Sequence, residues 1–98
     1  MDQAIIIHIG TKNLPEGIHP DSLEEEITAI LSENDLGEFD GVDQGQGEID
    51  MFIYGPDAEK IYSAIETTLN DSPLCVNARI EIRKGPPGSP QREVVLTN

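Results

Sequence analysis

Tryptophan is absent from the 98 residues, cysteine occurs once, and phenylalanine and tyrosine together supply four. The lone Cys75 cannot build an intramolecular disulfide framework, which points to a reducing cytoplasm. No apolar run approaches the roughly 18 residues of a membrane span, so no membrane association is expected. Met1-Asp2-Gln3 leads at once into the segment Ala4–Ile9 with neither a basic n-region nor a long apolar h-region, so export is not expected. Bases are also scarce: six Lys and Arg stand against nineteen acids, a formal charge of −13. Such a surface repels phosphate backbones and disfavours nucleic acid as a partner. The imbalance is uneven. Residues 1–75 hold 17 acids and 2 bases, whereas residues 76–98 hold 2 acids and 4 bases.

Signatures of common chemistries are missing too. The chain has no Walker-type phosphate loop, no nucleophile-elbow serine and no His/Cys cluster with zinc spacing, His19 lying alone between Ile18 and Pro20. Gly45-Gln46-Gly47 begins a G-x-G-x-x-G match, but Asp50 occupies the third glycine position and the segment leads into a strand, where phosphate cradling needs a helix N-terminus. Seven acids between Glu33 and Asp50 suggest calcium, yet with Gly41 as the sixth residue of an EF-hand loop the first position is Leu36 and the twelfth Gly47, neither a carboxylate. No catalytic residues, cofactor or metal site are expected.

What is present reads as one α+β domain over residues 1–98, a length suited to a single core. Ala4–Ile9 is a β-branched run closed by Gly10 and suits a central strand. After a loop with Pro15, Gly17 and Pro20, Asp21 and Ser22 can cap a helix, Ser22 and Glu25 having capping-box spacing. Leu23, Ile27, Ile30 and Leu31 then share one helical face, and Asn34 or Gly37 ends the helix. Leu36–Asp43 is a weaker strand with a bulge expected at Gly41, joined through Gln44–Gly47 to a strand in which Ile49, Met51 and Ile53 alternate with Asp50, Phe52 and Tyr54. Gly55-Pro56-Asp57 caps a second helix that presents Ile61, Ile65, Thr68 and Leu69 and runs out at Asn70. Val76, Ala78, Ile80 and Ile82 alternate with polar residues as a fourth strand. Arg92–Leu96, after the loop Lys84–Pro90, has the composition of a short fifth strand returning beside the fourth.

The order β-α-β-β-α-β is that of the ferredoxin-like two-layer sandwich, with an expected sheet order 4-1-3-2. Leu36-Gly37-Glu38-Phe39-Asp40-Gly41, Met51-Phe52-Ile53-Tyr54-Gly55-Pro56-Asp57-Ala58 and Lys84-Gly85-Pro86-Pro87-Gly88 resemble a family of small bacterial proteins of uncharacterised activity. The resemblance covers roughly residues 20 to 96, implies the same fold and lends no function.

Three groups of residues are candidates for function. The base-free stretch containing Glu38, Asp40 and Asp43 is an acidic edge for a basic protein partner, although acidic surfaces also serve solubility alone. His8, Phe52 and Tyr54, with Ile6, Arg79 and Arg83, fall by strand alternation on the sheet face opposite the helices and form a second candidate surface, for a partner or a homodimer. Aromatics at such positions stack bases in RNA-recognition modules, but the acidic start Glu48-Ile49-Asp50 disfavours that use. His8 and Cys75 could approach each other if Cys75 opens the fourth strand, and an imidazole-activated thiolate would be a nucleophile; no third group is evident to orient them. The reading that follows is a non-enzymatic acidic interaction module, immunity-like or inhibitory toward a basic target. The alternative is a small-molecule-sensing regulatory domain acting as a dimer, which rests on fold analogy.

Overall fold

The computed structural model describes residues 2–11 and 20–96. In chain order the elements are β1 (Gln3–Gly10), α1 (Pro20–Glu33), β2 (Glu38–Gly45), β3 (Glu48–Gly55), α2 (Ala58–Asp71), a 3-10 turn (Pro73–Cys75), β4 (Arg79–Arg83) and β5 (Gln91–Val95). All strand pairings are antiparallel, in the order β2-β3-β1-β4-β5. The sheet is therefore not a four-strand 4-1-3-2 array: read from its other edge the order is 5-4-1-3-2, with a fifth strand beside β4. β5 pairs along the whole of β4, and the edges are β2 and β5.

The isoleucine run of β1 lies at the centre because it is apolar on both faces. Ile5 sits between Ile53 and Ile82, and Ile7 between Met51 and Ile80, all with 0% exposure. Leu23, Ile27 and Leu31 of α1 and Ile61, Ile65 and Leu69 of α2 complete one contiguous cluster with these strand residues. Each large aliphatic side chain so buried contributes roughly 1.5–3 kcal/mol of hydrophobic free energy, opposed by the entropy of ordering the chain. The other sheet face is open among the described residues and carries Ala4, Ile6 and His8 of β1.

Local chemistry accounts for the element ends, and several differ from the sequence expectation. α1 begins at Pro20, so Asp21 and Ser22 lie inside its first turn instead of capping it; the loop with Pro15 and Gly17 falls outside the described residues, as does His19. Asp35, at φ 52°, ends α1, with the Leu36 amide bonding back to the Leu31 carbonyl at 3.0 Å, the six-to-one bond of a Schellman motif. The extra residue of the β2 bulge is Asp40, between the pairs Phe39–Ile53 and Gly41–Phe52. Gln46 and Gly47, both at positive φ (50° and 81°), form the two-residue hairpin turn, the pattern of a type I′ turn. Asp57 caps α2 by accepting from the Lys60 amide at 3.1 Å, and Gln3 Oε1 accepts from the Ala58 amide at 2.8 Å, tying β1 to the same helix end. α2 continues to Asp71, one residue past Asn70.

The fourth strand is shorter than the alternation from Val76 predicts. Asn77 adopts φ 64°, which breaks extended structure, and Val76 is 50% exposed. Pairing resumes only at Ala78, whose carbonyl accepts from the Leu96 amide at 2.9 Å.

Candidate functional site

Acidic and basic residues separate across the sheet. Pro20–Asp57, which supplies α1, β2 and β3, holds twelve acids and no lysine or arginine. Lys60, Arg79, Arg83, Lys84 and Arg92 lie on α2, β4, the loop after it and β5. Arg79 meets Glu48 at 3.3 Å and Glu93 at 3.6 Å, while Arg92 and Lys84 both engage Glu59. None of the nine acids from Asp21 to Asp43 has a cationic partner among the described residues. Glu24 shows the crowding: partial burial, followed by the neighbouring Asp21 and Glu25, raises its carboxyl above the ordinary range.

Glu38, Asp40 and Asp43 all lie exposed on the β2 edge. Glu38 and Asp43 pair with Tyr54 and Asp50 and so belong to the open face; Asp40 sits in the bulge. Between α1 and β2 runs a shallow depression lined by Asp21, Glu24, Glu25, Thr28, Ala29, Ser32 and Phe39. It has acids along its α1 rim and the half-buried Phe39 ring in its lining.

On the open face one row crosses the sheet as Asp43, Asp50, His8, Arg79 and Val95, and the next as Gly41, Phe52, Ile6, Glu81 and Glu93. Sequence reasoning placed His8, Phe52 and Tyr54 together here, and strand register does bring them onto this face. Phe52 and Tyr54 are half-buried, whereas Ile6 is 7% and Ala4 0% exposed, shielded by taller neighbours on β3 and β4.

The residues that sequence reasoning missed surround His8. Its Nδ1 lies 2.7 Å from Asp50 Oδ1 and 3.8 Å from Glu48 Oε2, and its Nε2 lies 3.2 Å from Glu81 Oε1. The Glu81 approach is not aligned as a hydrogen bond, so the buried Nε2 has no hydrogen-bond partner. The signal was available: Asp50 shares the alternation of Phe52 and Tyr54, and antiparallel pairing of β1 with β3 puts it opposite His8. The cluster is built across two paired strands, so no contiguous loop of acids contains it.

Cys75 lies in the helix-side core at 1% exposure, on the other side of the sheet from His8. Its place in the 3-10 turn, before the strand starts, removes the geometry in which an imidazole could activate it. Burial pushes its thiol up to about 11, with the Ser72 hydrogen bond acting weakly the other way. Among the described residues no helix is long and apolar enough to cross a membrane.

Comparison with protein-family models, curated protein sequences and solved structures returns no match to this chain.

Proposed function

We propose that this chain is a non-enzymatic interaction module, immunity-like or inhibitory in use, that presents its α1–β2 side to a basic protein. We read the scaffold as a ferredoxin-like sandwich widened by β5, working in a reducing cytoplasm where the buried free thiol of Cys75 is stable. The observation that carries the proposal is the separation of charge. Nine acids from Asp21 to Asp43 stand without cationic partners, while four of the five described bases, Arg79, Arg83, Lys84 and Arg92, lie on β4, the loop after it and β5. A cationic surface approaching from the α1–β2 side meets unneutralised carboxylates and relieves the mutual repulsion of Asp21, Glu24 and Glu25. The Phe39-lined depression adds apolar contact at the centre of that side.

The open face suits nucleic acid less well. Of its cations, Arg79 is shared between Glu48 and Glu93, and Arg83 donates to the Gly85 carbonyl at 2.8 Å. Phosphate contacts would have to displace both.

The test is association kinetics between the full chain and a partner captured on it, at salt concentrations that shorten the Debye length from about 30 Å at 0.01 M to about 8 Å at 0.15 M. Association should slow with salt, and the combined Glu38→Gln, Asp40→Asn and Asp43→Asn substitution should weaken binding. A rim contact would appear mainly in the association rate and a buried one in the dissociation rate. A partner whose affinity ignores both salt and the triple substitution would remove the acidic side from the mechanism.

A further inference from the structure

His8 faces carboxylates from both of its ring nitrogens, Asp50 and Glu48 at Nδ1 and Glu81 at Nε2. A neutral imidazole carries one N–H and can donate toward only one side. The other nitrogen then sets a lone pair against a carboxylate oxygen unless a second proton or a metal cation stands between them. The surroundings supply little positive charge. Asp43 lies directly across from Asp50, and the guanidinium of Arg79, the residue opposite His8 on β4, is shared between the Oε1 atom of Glu48 and Glu93. The Oε2 atom of Glu48 faces His8 instead.

We propose that His8 Nδ1, Asp50 and Glu48 bind a divalent first-row transition-metal ion on the open face of the sheet. One ligand atom from each of the three residues lies within 4.8 Å of the others. Donors bound to one ion at about 2.0–2.2 Å stand roughly 3–4 Å apart, so small side-chain rotations close the site around an ion. The ligands come from β1, the central strand of the sheet, and its neighbour β3, whose register holds them more tightly than a loop would. Side-chain exposures of 15% for His8, 26% for Asp50 and 40% for Glu48 leave the site open to solvent, so water can complete the coordination.

One imidazole nitrogen with two carboxylates suits zinc, manganese, iron, cobalt or nickel, whereas calcium and magnesium prefer larger all-oxygen shells. Glu81 has the outer role. With Nδ1 on the metal, the imidazole proton resides on Nε2, and a small turn of the Glu81 carboxylate lets it accept that proton's hydrogen bond, fixing the tautomer. This site is independent of how the acidic α1–β2 side is used.

The experiment is calorimetric titration of the full chain with Zn2+ alone, with excess Mg2+ present throughout to occupy the rest of the acidic surface. One ion per chain should bind. His8→Ala, Asp50→Asn and Glu48→Gln should each weaken binding at least about 10- to 100-fold, the loss that removal of even an outer-shell partner can cause, and Glu81→Gln by about tenfold. Glu38→Gln with Asp40→Asn should leave it unchanged. Nitrogen-detected NMR should show Zn2+ perturbing Nδ1 of His8 while Nε2 keeps its proton. Circular dichroism of the metal-free variants identifies any that fail to fold, and those that fold carry the test. Absence of saturable binding in Mg2+ would overturn the proposal. So would stoichiometric binding that survives in the folded His8→Ala and Asp50→Asn variants, or a perturbation confined to Nε2.

Discussion

Gly37 and Gly55 stand backbone to backbone at the end of the β2–β3 pair remote from the hairpin, and neither has room for a side chain. A Cβ on Gly37 would collide with the Tyr54 carbonyl oxygen, and the residue's φ of 151° is one that L side chains rarely adopt. A Cβ on Gly55 would collide with the Leu36 carbonyl oxygen and lie 2.8 Å from Ile61 Cδ1. This contact sets where the chain leaving α1 enters the sheet, and hence the placing of the acidic edge strand.

Gly55→Ala should therefore destabilise the fold by about 1–3 kcal/mol, the usual cost of overpacking, because the colliding oxygen belongs to backbone and cannot rotate away. Gly45→Ala, with nothing within 4 Å of the added Cβ, is the matched control and should shift stability by no more than about 0.5 kcal/mol. Urea unfolding midpoints decide it: equal midpoints for the two variants would contradict the close approach.

Cys75 should be inert in the native state. With its thiol raised from 9.0 to about 11 and its side chain in the core, labelling by a disulfide reagent near neutral pH should proceed only as fast as the protein opens, and His8→Ala should not change that rate. The raised value also fixes the sign of an alkaline effect. Its stability contribution is complete below about 9 and is lost as pH rises toward about 11, because the unfolded thiol releases its proton first. Cys75→Ser would lessen this alkaline loss, which unfolding midpoints across that range would reveal.

Glu59 governs the acid side. Two hydrogen bonds from Arg92, at 2.7 and 2.8 Å, are the main cause of its lowering from 4.5 to about 2, with Lys84 at 3.6 Å assisting. A depressed carboxylate stabilises the fold above its unfolded value and loses that contribution as pH falls from about 4.5 toward about 2. Glu59→Gln should flatten the stability–pH curve in that window, and added salt should flatten the wild-type curve in part, since the pair is exposed to solvent. An unchanged slope in the variant would exclude this cluster as an acid-sensitive tie between α2 and β5.

Much of the architecture was legible because its causes are local. The isoleucines of β1, the period-two pattern of β3, the Asp57 cap and the apolar faces of both helices each declare an element within a few residues. Where the expectation missed, a longer-range or backbone term prevailed. The alternation at Val76 and Ala78 mimicked a strand, but the 3-10 turn that buries Leu74 and Cys75, together with the left-handed Asn77, delays β4 to Arg79. The left-handed role at the end of α1 went to Asp35, a residue whose tolerance of that region is easily overlooked beside Asn34 and Gly37.

The sequence by itself determined the order of strands and helices, which strand is apolar enough to be central, and that the chain carries a large excess of negative charge. Those properties follow from side-chain chemistry at short range. Only the tertiary structure decided that Asp50 and Glu48 close on one nitrogen of His8 and Glu81 on the other, that Cys75 lies on the opposite side of the sheet, and that four of the five described bases lie toward the β4–β5 edge. The reason is register. Side chains alternate faces with period two, so a one-residue slip of β1 against β3 would send His8 into the core and Ile7 into water, and only packing of the whole isoleucine layer against both helices selects the pairing that makes the cluster.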